Sequence, residues 1–186
     1  MRGVRTPVAV PTKTRRRTLD EQILVRFQAL VPMLAFAWSR LPPRSRLRRA
    51  FLSRTMRQGC EAANRRDFDL FLLTLDPEIE FQFDGSVGSG YAFPDMLGVH
   101  RGREAYRRVW ESGDEAWDDF RLEYEEIIDF GDRLLTAGRI TGHGRYSGID
   151  LDQPFLQVIF LRRGLAIRQE HFADRDKALE AAGLTE

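Results

Sequence analysis

Acid–base chemistry is concentrated on two strand-like segments in the second half of the chain. Glu170 is the only acid between Leu165 and Phe172, and Arg139 and His143 lie four residues apart on another segment. Alternate residues of a strand share one face, so Arg139 and His143 can point to the same side of a sheet. A carboxylate held in an apolar pocket acquires a raised pKa, and a nearby arginine supplies a fixed donor for a substrate oxygen. We therefore predict Glu170, Arg139 and His143 as catalytic candidates.

These assignments have structural alternatives that the sequence leaves open. Glu170 and Arg139 can equally form an ion pair that only joins neighbouring strands. His143 lies between Gly142 and Gly144, a pattern typical of a turn. Further residues are expected to line the same pocket, because they are polar or aromatic and lie on the same strand faces, on an adjacent apolar segment or on one helix face. They are Thr141, Gln157, Tyr106, Trp110, Arg168 and Phe172.

Motif content and charge narrow the possible partners. The sequence has no phosphate loop or dinucleotide fingerprint, one cysteine, and three histidines without metal-ligand spacing, so we expect no cofactor and no metal. It has no nucleic-acid-binding motif, so we expect no nucleic-acid partner. Residues 1–57 hold 14 Lys/Arg and two acids, a net charge of +12, whereas the remainder carries −11. Such a split indicates a basic arm that contacts either a membrane surface or its own acidic domain.

The N-terminal region has two parts that precede the main domain. Residues 1–17 are basic and rich in proline, and we expect a disordered tail. Residues 18–43 predict one apolar and basic helix, which packs on the domain or a partner subunit, or makes a weak contact with a membrane surface. We expect residues 44–186 to fold without this arm. The tail lacks a secretory signal pattern, so we expect a cytoplasmic protein, with a peripheral position at the inner membrane face as the alternative.

The main domain changes from helical to strand periodicity along the chain. Helices are predicted from Ser45 to about Asn64, over 68–75 and from Arg103 to Trp110. Between them lie an alternating strand around Ile79 and a glycine-rich loop over 85–102. Four strand-like runs follow, over 120–128, 133–142, 155–162 and 165–172, and a short helix ends the chain. Helices segregated from a strand meander indicate an α+β fold.

Short motifs in a fixed order resemble the SnoaL-type, polyketide-cyclase-like group of the nuclear-transport-factor-2-like superfamily. They are Ala-Ala-Asn-Arg-Arg-Asp-Phe at 62–68, Asp-Pro-Glu-Ile-Glu at 76–80, Gly-Arg-Glu at 102–104, Gly-His-Gly at 142–144 and His-Phe-Ala-Asp-Arg at 171–175. The resemblance covers residues 54–184. It implies a cone-shaped, curved, mostly antiparallel sheet whose helices enclose a pocket, here with an N-terminal helical extension.

The resemblance implies a pocket but does not decide between catalysis and binding, because this superfamily includes isomerases, cyclases, hydrolases and noncatalytic binders. Limonene-type epoxide hydrolases are similar locally: Arg139 matches their arginine and Glu170 their last-strand acid, but Thr141 replaces their middle acid. One hypothesis is a cofactor-independent isomerase, cyclase or hydrolase acting on a small apolar polyketide-, steroid- or terpenoid-like molecule. The alternative is a noncatalytic ligand-binding or scaffold domain. In both cases the apolar sheet face predicts a homodimer.

Overall fold

The frame of the molecule is a curved, unclosed sheet. The computed structural model describes residues 3–7, 16–83, 98–172 and 174–183, and seven strands are present within them. In chain order they are β1 (Val4–Pro7), β2 (Leu75–Phe83), β3 (Gly98–Arg101), β4 (Trp117–Asp129), β5 (Arg133–Gly144), β6 (Asp150–Arg162) and β7 (Leu165–Phe172). The sheet order is β1-β4-β5-β6-β7-β2-β3, and β2 with β7 is the parallel pair. The predicted α+β class is confirmed.

Six α-helices accompany this sheet in the described part of the chain. They are α1 (Leu19–Arg26), α2 (Leu30–Ser39), α3 (Arg46–Asn64), α4 (Phe68–Phe71), α5 (Arg103–Ala116) and α6 (Arg175–Ala181). Side-chain oxygens cap three of them at the first turn, where backbone N–H groups have no partner inside the helix. The capping residues are Ser45 for α3, Asp67 for α4 and Asp174 for α6.

The N-terminal helix predicted over 18–43 is in fact two helices, α1 and α2, bent by 110° at residues 27–29. Pro32 explains the break, because it has no N–H and its ring would collide with the carbonyl of residue 28 in a continuous helix. In the observed arrangement it lies in the first turn of α2, where no intrahelical donor is needed. No single helix of the described residues is long and apolar enough to cross a bilayer. The bent α1–α2 pair would be long and apolar enough, by length and composition only.

The expectation of a disordered tail over 1–17 is wrong for part of that range. Val4–Pro7 form β1 and pair antiparallel with the end of β4, from Val4 with Asp129 to Pro7 with Glu126. Arg17 forms an ion pair with Asp67. Backbone pairing at an open sheet edge needs no apolar side chains, so the polar composition of the tail did not reveal it. Residues 8–15 lie outside the described part of the chain.

The sheet has two faces with different coverings. The inner face packs against α3 and α5 and carries the main core, which includes Leu122, Phe155 and Ile159. The outer face carries a smaller apolar cluster with Leu135 and Val158, and α6 packs on it. The apolar outer side of β6, from which a homodimer was predicted, is therefore partly occupied by α6. The homodimer itself stays a prediction.

The strands confirm the predicted runs to within a few residues, and β2 has the predicted alternation, with Ile79 and Phe81 buried. The glycine-rich loop predicted over 85–102 needs a correction at its end. Gly98–Arg101 form β3, in which His100 pairs with Phe81 and its ring stacks on the Phe81 ring at 4.9 Å. Residues 84–97 lie outside the described part of the chain.

Candidate functional site

An apolar cleft of about 360 Å³ lies where the N-terminal helices meet the main domain. Its walls come from α1 and α2 on one side and from α3, α4 and the β6–β7 turn on the other. Ile23, Leu34, Phe51 and Leu73 are among its lining residues. Its polar rim includes Asp20, which accepts hydrogen bonds from Arg54 and Gln58. The cleft is thus almost wholly apolar, and half of it is built by the segment that precedes the predicted domain.

A second cavity of about 70 Å³ lies deeper, between α3 and the inner face of the sheet. Five residues line both cavities, so the small cavity adjoins the large cleft. They are Trp38, Thr55, Gly59, Thr74 and Gly164. Gly164 makes the tight β6–β7 turn with φ +80°, and any side chain there would collide with the backbone of Ala35 in α2. The close approach of α2 to this turn closes the end of the cleft.

Gly59 lies in the middle of α3, at the junction of the two cavities. A Cβ atom at this position would find one heavy atom within range, a Phe71 ring carbon at 4.0 Å. Because glycine is a poor helix former, its presence here costs α3 about 1 kcal/mol relative to alanine. The residue leaves open space where the cleft continues into the core.

The inner cavity ends at a polar pair in an apolar surrounding. The Tyr106 hydroxyl donates a hydrogen bond of 2.6 Å to Gln169 Oε1, and both residues are buried. Burial raises the pKa of Tyr106 above its ordinary value, and burial likewise raises the pKa of Tyr124, which lines the same cavity. Both hydroxyls therefore remain protonated near neutral pH. Each donates its proton to a glutamine, so its oxygen is left to accept a hydrogen bond from a ligand hydroxyl.

A hydrogen-bond network continues from Tyr124 along the inner face. Gln157 Oε1 accepts from the Tyr124 hydroxyl at 3.4 Å and from Thr136 Oγ1 at 3.3 Å. With its oxygen so assigned, the Gln157 amide nitrogen donates to His171 Nε2 at 3.1 Å. His171 is partly exposed as a residue, but its Nδ1 atom is buried. Burial lowers the pKa of His171 to about 3, and a hydrogen bond with the Gln82 backbone offsets part of that effect.

The three residues predicted to be catalytic lie on the outer face, away from both cavities. Arg139 forms ion pairs with Asp152 and Glu125, and the Asp152 bond raises the pKa of its guanidinium. His143 is exposed and contacts Asp150 at 2.7 Å. These side chains follow the parity of Leu135 on β5, which belongs to the outer cluster. The expectation that this face lines a pocket is therefore wrong, because the helices enclose the opposite face.

Glu170 and Arg139 are not brought together. Glu170 pairs with Arg168 on its own strand, and its backbone neighbours across β6 and β5 are Val158 and Leu135. Arg139 lies four residues beyond Leu135 on β5, a distance of about 13 Å along the strand. The structural alternative of a direct Arg139–Glu170 pair is wrong as well.

The residues predicted to bind ligand divide between the two faces. Tyr106 lines the inner cavity, Gln157 is buried in the network beside it, and Trp110 packs on Phe71 at 5.0 Å in the aromatic core. Thr141, Arg168 and Phe172 take the outer face and line neither cavity. The Arg168 guanidinium stacks over the Phe160 ring.

Apart from Tyr106, sequence reasoning missed the residues that line the cavities. Gln169 lines the inner cavity, and His171 follows it on the inner face of β7, one residue out of step with the predicted Glu170. Gln169 is buried, whereas Arg168 is exposed. The large cleft was missed because α1 and α2 were assigned to an appendage. Among the described residues, no group of three His, Cys, Asp or Glu side chains is placed to hold a metal ion.

Comparison with known proteins identifies the relatives of this arrangement. Residues 56–169 match the family profile of the SnoaL-like domain. A nuclear-transport-factor-2-like protein from Burkholderia thailandensis is 23% identical, with 72% of this chain and 95% of that chain covered and a TM-score of 0.55. A protein with a ketosteroid isomerase-like fold from Catenulispora acidiphila, in complex with trimethylamine, is 11% identical, with 70% and 93% covered and a TM-score of 0.53.

The protein TerC, co-crystallised with polyporic acid, is 20% identical, with 68% of this chain and 94% of that chain covered and a TM-score of 0.55. At these identities the solved structures establish the fold alone. No curated protein matches the sequence. In each of the three structures the aligned part leaves more than a quarter of this chain uncovered.

Proposed function

The chain belongs to the SnoaL-like family, and we propose that it binds a small, largely apolar molecule between its N-terminal helices and the sheet. The observation that carries this proposal is that the two cavities adjoin across shared lining residues. The 360 Å³ cleft and the 70 Å³ inner cavity share five lining residues, so one elongated ligand can occupy both.

The size and chemistry of the site suit such a ligand. Sites for small molecules are commonly clefts of about 300–1,000 Å³, lined mainly by apolar and aromatic side chains with a few placed polar groups. Here the apolar part is supplied by residues such as Leu34, Phe51 and Leu73. The polar end is the buried Tyr106–Gln169 pair. A ligand with an apolar body and one oxygen at its inner end, such as a polyketide, steroid or terpenoid, matches this arrangement.

The chemistry of the lining favours binding over acid–base catalysis. Among the described residues, the inner cavity is lined by apolar side chains and by threonine, tyrosine and glutamine, and none of these titrates near neutral pH. His171, in the adjoining network, has a pKa near 3 and is a weak base there. Asp20, at the outer rim, is held ionised because hydrogen bonds with Thr18 and Arg54 lower its pKa. General acid–base catalysis needs a group poised near the working pH.

A substitution series at Gly59 tests the proposal. The full chain is incubated with a mixed library of steroids, terpenoids and polyketides, polyporic acid included, and retained compounds are identified by native mass spectrometry. Gly59→Leu places a branched side chain at the junction of the cavities, where a Cβ has room. It should lower the affinity of any retained compound at least tenfold, since the space that both cavities share is filled.

Gly59→Ala is the matched control. It gives α3 a similar gain in helix propensity but adds only one methyl group, so the affinity should change less than threefold while both variants melt at or above the wild-type temperature. Equal affinity in the leucine variant would show that the ligand does not pass the junction. Failure of the wild-type protein to retain any compound of the library would also contradict the proposal.

A further inference from the structure

Helix α2 is apolar on two opposite faces, and the structure buries only one of them. Val31, Ala35 and Trp38 recur at helical spacing and pack against the domain. Leu30, Met33, Leu34 and Ala37 recur at the same spacing on the other side and are exposed. A surface helix normally presents polar residues to water, and a helix that is apolar all round is normally buried. Within the described residues, the second face of α2 therefore lacks the covering that its composition requires.

Helix α1 extends the same exposed apolar surface. Leu19, Ile23 and Phe27 follow one another at intervals of four residues and are 77%, 50% and 54% exposed. Met33 of α2 is 67% exposed. Exposed apolar patches of this extent mark contacts with other proteins or with membranes. Ile23, Leu30 and Leu34 also line the large cleft, so the cleft opens onto this surface.

Arginines without ion-pair partners surround this apolar surface. Arg26 ends α1, Arg40 follows α2, and Arg44 and Arg46 lie at the turn into α3. Within the described residues none of the four forms a salt bridge, and the Arg40 guanidinium stacks over the Phe36 ring at 4.6 Å. The acids of residues 16–46 are Asp20 and Glu21, of which Asp20 is bound by Arg54 and Glu21 is buried beside Arg65. The surface is apolar at its centre and has an excess of positive charge at its edge.

We propose that α1 and α2 dock on the surface of an anionic lipid bilayer. Leu19, Phe27 and Met33 would enter the boundary between headgroups and acyl chains, and the four arginines would contact lipid phosphates. This is the arrangement of interfacial amphipathic helices. Each arginine near an anionic surface contributes about a fivefold gain in partitioning. The further consequence, that an apolar ligand passes from the bilayer directly into the cleft, rests on the proposed function.

A second copy of this chain fits the same surface less well. A two-fold dimer through α1 and α2 would bring arginines at the edge of one copy against arginines at the edge of the other, because both copies use the same patch. No carboxylate of this surface is available to pair with them, since Asp20 and Glu21 are engaged. A lipid surface supplies the missing negative charge, and it also accepts apolar side chains at variable depth.

Vesicle flotation of the full chain tests the docking. Vesicles of phosphatidylcholine are compared with vesicles in which roughly a third of the lipid is phosphatidylglycerol, and the protein should float with the second kind. Two double variants probe the two components: Phe27→Gln with Met33→Gln, and Arg40→Gln with Arg44→Gln. Each double variant should lower the partition coefficient at least tenfold. High salt should weaken vesicle binding by the wild-type protein, because salt screens the charges.

Matched controls remove apolar side chains and an arginine elsewhere on the surface. Tyr146→Gln with Ile149→Gln removes two apolar side chains that are 88% and 63% exposed, and Arg101→Gln removes an exposed arginine. These variants should float as the wild-type protein does. No flotation on anionic vesicles would overturn the proposal, as would equal losses in the control variants. A concentration-dependent dimer in sedimentation, abolished by the Phe27 and Met33 changes, would assign the surface to a second copy instead.

The docking proposal and the ligand-site proposal are tested by different assays, so each can be refuted separately. Gly59→Leu changes the cleft and leaves the exposed surface intact, so it should float normally and lose the soluble ligand. Phe27→Gln with Met33→Gln should retain the ligand in solution, because neither residue lines the cleft. A protein that floats but retains no compound would refute the proposed function and leave the docking in place.

Discussion

Replacement of Arg48 by alanine tests how the N-terminal helices are attached to the sheet. Arg48 is 1% exposed, and its Nε and Nη2 atoms donate to the two carboxylate oxygens of Asp129 at 2.6 and 2.8 Å. Its guanidinium also donates to the carbonyl oxygens of Ser39, Leu41 and Gly131. One side chain thus joins the end of α2, the start of α3 and the end of β4.

The expected loss of stability follows from what the substitution leaves behind. Asp129 is also 1% exposed, and the Gly131 N–H, which donates to it at 2.9 Å, is the contact that remains to its carboxylate. Removing one partner of a buried ion pair costs about 3–5 kcal/mol, chiefly because the other charge stays buried without compensation. The three carbonyl groups also lose their shared donor. We expect Arg48→Ala to lower the free energy of unfolding by about 3–5 kcal/mol, a large share of the 5–15 kcal/mol typical of a domain.

Urea unfolding followed by circular dichroism measures the effect, and Arg46→Ala is the control. Arg46 is exposed, without a salt bridge in the described residues, and two positions away on the same helix, so its loss should change stability by less than about 0.5 kcal/mol. Arg48→Met with Asp129→Leu should recover much of the loss, since a buried pair replaced by apolar side chains is often neutral. A change below about 1 kcal/mol for Arg48→Ala would refute the anchoring argument.

Three further predictions concern single titratable side chains. Burial raises the pKa of the Cys60 thiol to about 12, so Ellman's reagent should react with it only after unfolding; fast labelling of the native protein would contradict this. Because the pKa of His171 is lowered to about 3 when folded and is about 6.5 when unfolded, stability should fall as the pH drops below 6.5, by at most about 1.4 kcal/mol per pH unit. His171→Gln should lack this component in urea unfolding between pH 7 and 5, and an unchanged slope would count against it. Glu170→Gln should lower stability by less than about 1 kcal/mol and leave ligand affinity unchanged, because Glu170 pairs with a half-exposed Arg168; lost affinity at unchanged melting temperature would show that it reaches the ligand.

The sequence predicted the elements of the main domain well because each has a local cause. Ser45 and Asp67 cap helices through their own side chains, and the alternation around Ile79 and Phe81 directly reflects burial on one side of a strand. The parallel pairing of β2 with β7 was not predictable locally, since it joins segments some ninety residues apart. The family resemblance, which the SnoaL-like profile confirms, implied only a mostly antiparallel sheet.

The candidate site was predicted on the wrong face for a physical reason. Strand parity shows which residues share a face, but it does not show which face the helices cover. On β7 the buried positions 166 and 169 differ in parity, and a register irregularity between Phe160 and Leu161 on β6 accounts for the change. Counting forward in steps of two from the buried Ala166 therefore places Glu170 and Phe172 on the wrong side. Charge was also a poor guide, because the polar pair at the inner cavity consists of two neutral side chains, Tyr106 and Gln169.

The position of Pro42 and Pro43 suggested a domain boundary. A helix does end there, but residues on both sides of the prolines belong to the same core. Trp38, just before the prolines, stacks on Phe51 of α3 at 5.5 Å and lines both cavities. Its ring also lies 4.8 Å beneath the guanidinium of Arg48. Few contacts cross a domain boundary. Here the apolar core, the contacts of Arg48 and the lining of the cleft all include residues from both sides of the two prolines. The N-terminal helices are therefore a wall of the cleft, and their exposed apolar side chains lie beside its mouth.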